Sequence, residues 1–411
     1  MSLDALVVQT LTAFGISLAE LADLHFDTVH RWLPVVDKNS FHDTHKQLRE
    51  DHGSALDEEL AVLTLSMFLA SRVPCVKREY PVEKSPIYRV TKRLSLISLS
   101  EQPSLLLLQA GILVTAYELG HGLTRQAYLS LATCFSVAKL MGLAYAGSVL
   151  SQGDGEGQLA VSACAGAPSH FSIGKGHRTA IIHISDADNN ALCSMIALCA
   201  IDWQAPLLIP PPDEPYVAAS LRNVTAFLKG ASFLVGPFRA FQVTVETAFL
   251  IGSALTYVHR RSTTSVQQCA TLDSHMQQLV QSLLHTSQRK YLRICEAAAL
   301  AISALAALRS THSEGNAHDL DSASALALRS ISNMVLDMAR IALESCDAHD
   351  SRQHSFIAFC TESRATLYVV EHLGRGLSEQ EVDVLRSSTL RFGRRWAIGC
   401  IYPSHLESLL R

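Results

Sequence analysis

PSLLLLQAGILVTAYELGHGLTRQAYLSLATCFSVAKLMG, residues 103–142, decides how the rest of this chain reads. Its first half is an almost continuous apolar run, too long for a strand, and it predicts one helix over residues 103–119. Gly120-His121-Gly122 breaks that helix, and a second follows over residues 124–141. There Tyr128, Leu131, Phe135 and Ala138 recur on one helical face, and Gly142 suits the left-handed position just past a helix end. Two helices joined by so short a turn form an αα-hairpin.

Outward from the hairpin the helical period continues. Ser54-Ala-Leu-Asp57 reads as a capping box opening a run through Leu60, Leu63, Leu65, Met67 and Leu69, closed by Pro74 and Pro81. At the N-terminus Leu3, Leu6, Val7, Thr10, Leu11, Phe14 and Leu18 predict a single amphipathic helix; Asp4 and the lack of a basic start argue against a secretory signal. On the other side, glycines 153, 155, 157, 166, 174 and 176 mark residues 151–176 as a loop or linker. Residues 178–184 are the one β-like run. Helical spacing returns over 191–201, stops at the prolines of 206–215, and resumes over 217–230, 236–261, 271–310 and 322–346, with a polar loop at 312–321. Ser378-Glu-Gln-Glu381 is a further capping box, followed by Val382, Leu385, Phe392 and Trp396 on one face with Thr389 the only polar interruption. The expectation is an all-α fold in four stretches: an N-terminal helical lead-in (1–53), a helical-hairpin subdomain (54–150), a Gly-rich linker (151–176) and a C-terminal helical subdomain (177–411).

Composition agrees. The 411 residues suffice for two or three packed subdomains, and 48% apolar residues with 7% aromatics favour helix on helix. Mean hydropathy is +0.18, yet no apolar run reaches the ~20 residues of a bilayer span, so a soluble chain with no membrane partner is expected. None of the ten cysteines forms a Cys-x-x-Cys pair, and they read as reduced, mostly buried side chains of a cytosolic or nuclear protein. Without a secretory signal, Asn223-Val-Thr225 carries no weight as a glycosylation sequon. The net charge is −4 and the basic pairs are scattered, so autonomous nucleic-acid binding is not expected.

The chemistry-bearing patterns are each incomplete. Around Gly174-Lys175, Ser169 stands where a phosphate loop needs its first glycine and Gly176 where it needs Ser or Thr. Gly153-x-Gly155-x-Gly157 has the wrong third spacing for a dinucleotide turn. Asp186-x-Asp188-x-Asn190 begins like a calcium loop, but Ala191 and Ala197 occupy the glycine and glutamate positions. Of the 18 histidines, five (His25, His30, His42, His45 and His52) crowd the N-terminal region, where His42-x-x-His45 only partly matches a zinc pair. Glu58-Glu59 sits near a helix start and complements the helix dipole. No Gly-x-Ser-x-Gly elbow occurs. No catalytic, cofactor-binding or metal-ligating residue is therefore assigned, no cofactor is expected, and the chain does not read as an enzyme.

Several segments, in order, resemble the middle homology region of fungal zinc binuclear cluster transcription factors. Residues 26–41, FDTVHRWLPVVDKNSF, resemble the opening motif of that region. Residues 105–145 resemble its hairpin through Gln109, Tyr117, Gly120, Gly122, Ala127, Ala138, Gly142 and Leu143, the most specific of these likenesses. Residues 191–214 share Ile201-Asp202 and the later Pro-Leu-Leu-Ile-Pro run. They depart from it at residues 186–190, where an arginine cluster is expected, at Leu192-Cys193 in place of paired tryptophans, and at Trp203 in place of arginine. Residues 238–259 resemble a mid-domain helix of secondary-metabolite regulators, and residues 385–402, with Arg394-Arg395-Trp396, resemble the closing helix.

The resemblance implies a multi-helical, layered bundle of the fungal transcription-factor regulatory type, acting in the nucleus (or cytoplasm) on a metabolic or secondary-metabolite gene cluster. It implies a DNA-binding regulator or co-regulator as protein partner and leaves room for a small-molecule effector and a homodimer. A binuclear zinc cluster needs six cysteines within about thirty residues. Residues 1–74 hold none, and the basic linker and heptad segment that normally follow are absent, so DNA contact is expected from elsewhere. Two other readings remain open: a small-molecule-binding or catalytic protein repurposed from this scaffold, with residues 191–203 as a pocket wall, and an interaction scaffold that titrates full-length regulators.

Overall fold

The computed structural model describes residues 3–50, 58–72, 82–101, 103–141, 266–290, 322–344, 377–393 and 395–397, with single positions at 247, 297–298, 300–302, 304–305, 308–309 and 370. The described residues are mostly helical, with no strand among them, as the all-α expectation requires. The helices are α1 (Leu3–Ala13), α2 (Leu18–Asp27), α3 (Lys38–Glu50), α4 (Glu58–Ser71), α5 (Pro86–Glu101), α6 (Leu105–Gly120), α7 (Thr124–Leu140), α8 (Val266–Lys290), α9 (Ser322–Glu344) and α10 (Glu379–Gly393). The Ser54 cap, Gly142, the Gly-rich linker, the β-like run at 178–184 and the expected helices at 191–201 and 217–230 lie outside the described residues, as do the polar loop at 312–321 and all of the expected helix at 236–261 except the helical, buried Thr247.

The hairpin forms where expected. Ser104 caps α6, its hydroxyl accepting the Leu107 N–H at 3.3 Å, and donates to the Glu59 carboxylate of α4 at 2.6 Å. At the far end Gly122 takes φ +73° while the Leu123 N–H reaches the Glu118 carbonyl at 2.8 Å and the Gly122 N–H that of Leu119 at 3.0 Å. These two bonds are the Schellman closure, which needs a residue without Cβ at the left-handed position.

The single N-terminal helix is corrected to two. Gly15, at φ +63°, ends α1 by the same closure, with Ile16 N–H on the Leu11 carbonyl at 3.1 Å and Gly15 N–H on that of Thr12 at 3.0 Å. Ser17 then opens α2 in a capping box with Glu20: the Glu20 N–H reaches Ser17 Oγ at 3.2 Å and the Ser17 N–H the Glu20 carboxylate at 2.7 Å. Ser378 and Glu381 build the same box at α10, as their spacing predicts.

Packing follows from which helices are apolar all round. Residues 60–71 of α4 and 107–120 of α6 are all buried, so these two form the centre. Three of their buried hydroxyls spend their hydrogens inside the helix: Thr64, Ser66 and Thr115 donate to the carbonyls of Leu60, Val62 and Gly111. Helices α1 and α2 cover α4, α5 and α7 flank α6, and α9 packs on α10. One buried cluster takes in Phe26, Trp32, Leu63, Ile112, Leu131, Leu279, Leu300, Leu336, Phe392 and Trp396.

Candidate functional site

The last turn of α6 gathers most of the unusual chemistry. Gly120 there is a matter of space: a Cβ would lie 2.2 Å from Trp396 Cε3 and 2.6 Å from Cζ3. Trp396 is buried, with its ring 5.6 Å from His121 and edge-on to Trp32 at 6.2 Å, and the Arg395 guanidinium stacked 4.8 Å away. His121 Nδ1 accepts the Ala397 N–H at 3.3 Å, which places the neutral ring's proton on Nε2. Residues from the opening segment (Trp32), the hairpin (Gly120 and His121) and the closing segment (Arg395 and Trp396) thus meet at one point.

Two residues before Gly120 in α6, Glu118 is wholly buried. Its Oε1 accepts from the Tyr88 hydroxyl at 2.6 Å and from Lys92 Nζ at 2.5 Å, both on α5. Taking an ion pair out of water costs several kcal/mol per ion, which the mutual attraction offsets only if the remaining lone pairs are matched. Among the described residues Glu118 Oε2 has no hydrogen-bond partner, nor do Thr91 Oγ1 and Ser130 Oγ. Burial and the neighbouring Glu118 charge push the Tyr88 hydroxyl well above its ordinary range, so it stays a donor. Tyr88 also stacks on Tyr117 at 5.6 Å, and Tyr117 meets His121 at 4.2 Å.

Beside this cluster lies a crevice lined by Lys92, Ser95 and Leu96 of α5, Gly111 and Val114 of α6, and Ser130 and Cys134 of α7. Its volume of about 10 Å³ is the room of one water molecule, so it admits no organic substrate. Burial pushes the Cys134 thiol up to about 12, which leaves it unreactive.

The N-terminal histidines separate by environment. His25 is fully buried, its Nδ1 3.1 Å from the Ser71 hydroxyl and its ring edge-on to Phe26. Burial, with a smaller effect of His30, lowers its pKa to about 3. His30 is lowered to about 4, again by burial, with Asp37 and Lys38 acting in opposite senses. His42 is half-buried against Phe26 and Phe41. Among the described residues no three His, Cys, Asp or Glu side chains converge as metal ligands. Glu59 binds the Ser104 cap, and Gly153–Gly157, Gly174-Lys175, Asp186–Asn190 and residues 191–203 lie outside the described residues. Sequence reasoning passed over Glu118, though it is the only charged residue in α6. A lone carboxylate in a helix apolar all round must find a buried partner.

Among the described residues no single helix is long and apolar enough to cross a membrane; α1 and α2 reach that length only together, across a 75° bend. Searches against protein-family models, curated proteins and solved structures find no match for this chain. The family likeness rests on the segments quoted above.

Proposed function

We propose that this chain is a transcription-regulatory domain of the kind fungal zinc binuclear cluster factors carry, controlling a metabolic or secondary-metabolite gene cluster from the nucleus or cytoplasm. It performs no catalysis, and its DNA contact comes from a module outside these residues, on a partner regulator or co-regulator. The observation that supports it most is the meeting of the opening, hairpin and closing segments at Trp32, Gly120, His121 and Trp396. Segments that resemble one homology region in order along the chain also form one packed node.

The test is a fusion of the full chain to a heterologous DNA-binding module, assayed on a matching reporter in a fungal host. A several-fold change in reporter output, in either direction, abolished by Trp396→Ala, is the expected result. An unchanged reporter at equal fusion-protein level overturns the proposal.

A further inference from the structure

Of the eight large hydrophobic side chains exposed among the described residues, five belong to the two helices that flank α6: Val90, Leu96 and Ile97 on α5, and Leu129 and Leu140 on α7. Both helices line the same crevice, with Gly111 and Val114 of α6 as its floor. On α7, Leu129, Thr133, Ser136 and Leu140 follow one another at helical spacing as a stripe, with Leu129 58% and Leu140 79% exposed. Thr133 and Ser136 donate their hydroxyl hydrogens back to the carbonyls of Leu129 and Ala132, so the stripe offers a partner mainly apolar surface. On α5, Val90, Arg93 and Ile97 form a second stripe.

Among the described residues of α5 and α7 the charge shown exposed beside these stripes is basic. Helix α7 contains no Asp or Glu, and α5 has only Glu101, its last residue. Arg89, Arg93 and Arg125 are exposed, while Lys92 is turned inward onto Glu118. Glu83 and Lys84, in the turn before α5, offset one another. This basic rim stands on a chain whose net charge is −4. Phosphate binding rewards positive charge alone and gains nothing from exposed leucines. Apolar stripes edged by arginine suit a helix laid into a groove, its leucines inward and its carboxylates on the rim.

We propose that the α5–α7 face docks an acidic amphipathic helical segment of a partner protein. The face is a property of the surface whether or not the chain acts at promoters, so this proposal and the regulatory one fail separately. The probe is a fluorescein-labelled helical peptide of about 15 residues, long enough to form a helix, with leucine at i, i+3, i+4 and i+7 and glutamate on both flanks. Its control carries lysine at every glutamate position. Binding to the full-length chain is read by anisotropy at physiological salt. The glutamate peptide is expected to bind at least about tenfold tighter than the lysine peptide. The double change Leu129→Ser/Leu140→Ser and the single change Arg93→Glu are each expected to weaken it by about tenfold, with far-UV circular dichroism unchanged. Equal binding of the two peptides, binding by neither, or affinity unaltered in the variants overturns the proposal. So does preferential retention of a DNA duplex or phosphatidylserine vesicles over the glutamate peptide.

Discussion

Replacing Gly120 by Ala tests whether the node at the end of α6 is as tightly built as its geometry says. Gly120 is the last residue of α6 and does not take a positive φ, so the backbone accepts alanine, and helix propensity alone favours the change by up to about 1 kcal/mol. Packing opposes it. The added methyl lies 2.2, 2.6 and 3.0 Å from three atoms of the Trp396 ring, against an ordinary carbon–carbon separation of roughly 3.5–4.0 Å. The ring would have to move by more than an ångström, yet it is held by His121, Trp32 and Arg395. Overpacking a site that cannot relax costs about 1–3 kcal/mol, the larger effect. Gly120→Ala should therefore lower the urea midpoint in the native chain. In a Trp396→Leu background, where the ring is gone, it should be neutral or raise it, and the difference between backgrounds measures the coupling. A neutral or stabilising effect in the native chain would show that Trp396 does not occupy this position.

The buried histidines predict acid sensitivity with a defined window. His25 and His30 have folded pKa values of about 3 and 4, below the ordinary 6.5, so below pH 6.5 the unfolded chain binds protons the folded chain does not. Their stabilisation is complete above that pH and declines through the interval down to about 4 and 3. At pH 5 each accounts for a loss of about 2 kcal/mol. Urea unfolding at pH 7 and pH 5 should show this loss shrinking in a His25→Gln/His30→Gln variant, and an identical pH dependence would refute the assignment. For the ion pair, Glu118→Ala leaves Lys92 and Tyr88 facing an empty apolar site and should cost about 3–5 kcal/mol, whereas Glu118→Leu with Lys92→Met should cost markedly less. A double variant no more stable than the single one would count against the pair.

Where the sequence was legible, the signal was local. The apolar runs of α4 and α6, the Ser378-Glu381 box and the glycine stop at Gly122 each involve residues within a turn or two of one another, and each forms as its spacing predicts. The N-terminal helix misled because Phe14 and Leu18 continue the helical period across Gly15. The better signal was the glycine followed by Ile16, whose side chain packs in the same cluster as Leu11. The node at Gly120 was out of reach: glycine and tryptophan were each visible, but their contact spans 276 residues and no periodicity encodes it. The histidines failed in a third way. As a crowd they looked like one feature, and only tertiary packing separates buried His25 from half-buried His42.

The last turn of α6 joins two regions that a list of helices would keep apart. Tyr88 of α5 stacks on Tyr117, Tyr117 meets His121, His121 meets Trp396, and Trp396 meets Trp32, so aromatic contacts run unbroken from α5 to the turn after α2. Glu118 is bonded to α5 from the same turn that, through His121, holds the Ala397 backbone. Packed interiors do not yield continuously. Loss of the closing segment would therefore uncover Gly120 and His121 and loosen the ring row that seats α5 on α6. On this account Arg395 and Trp396 are part of what shapes the α5–α7 face, although neither lies on it, and a partner bound there would meet a surface set in part by the far end of the chain.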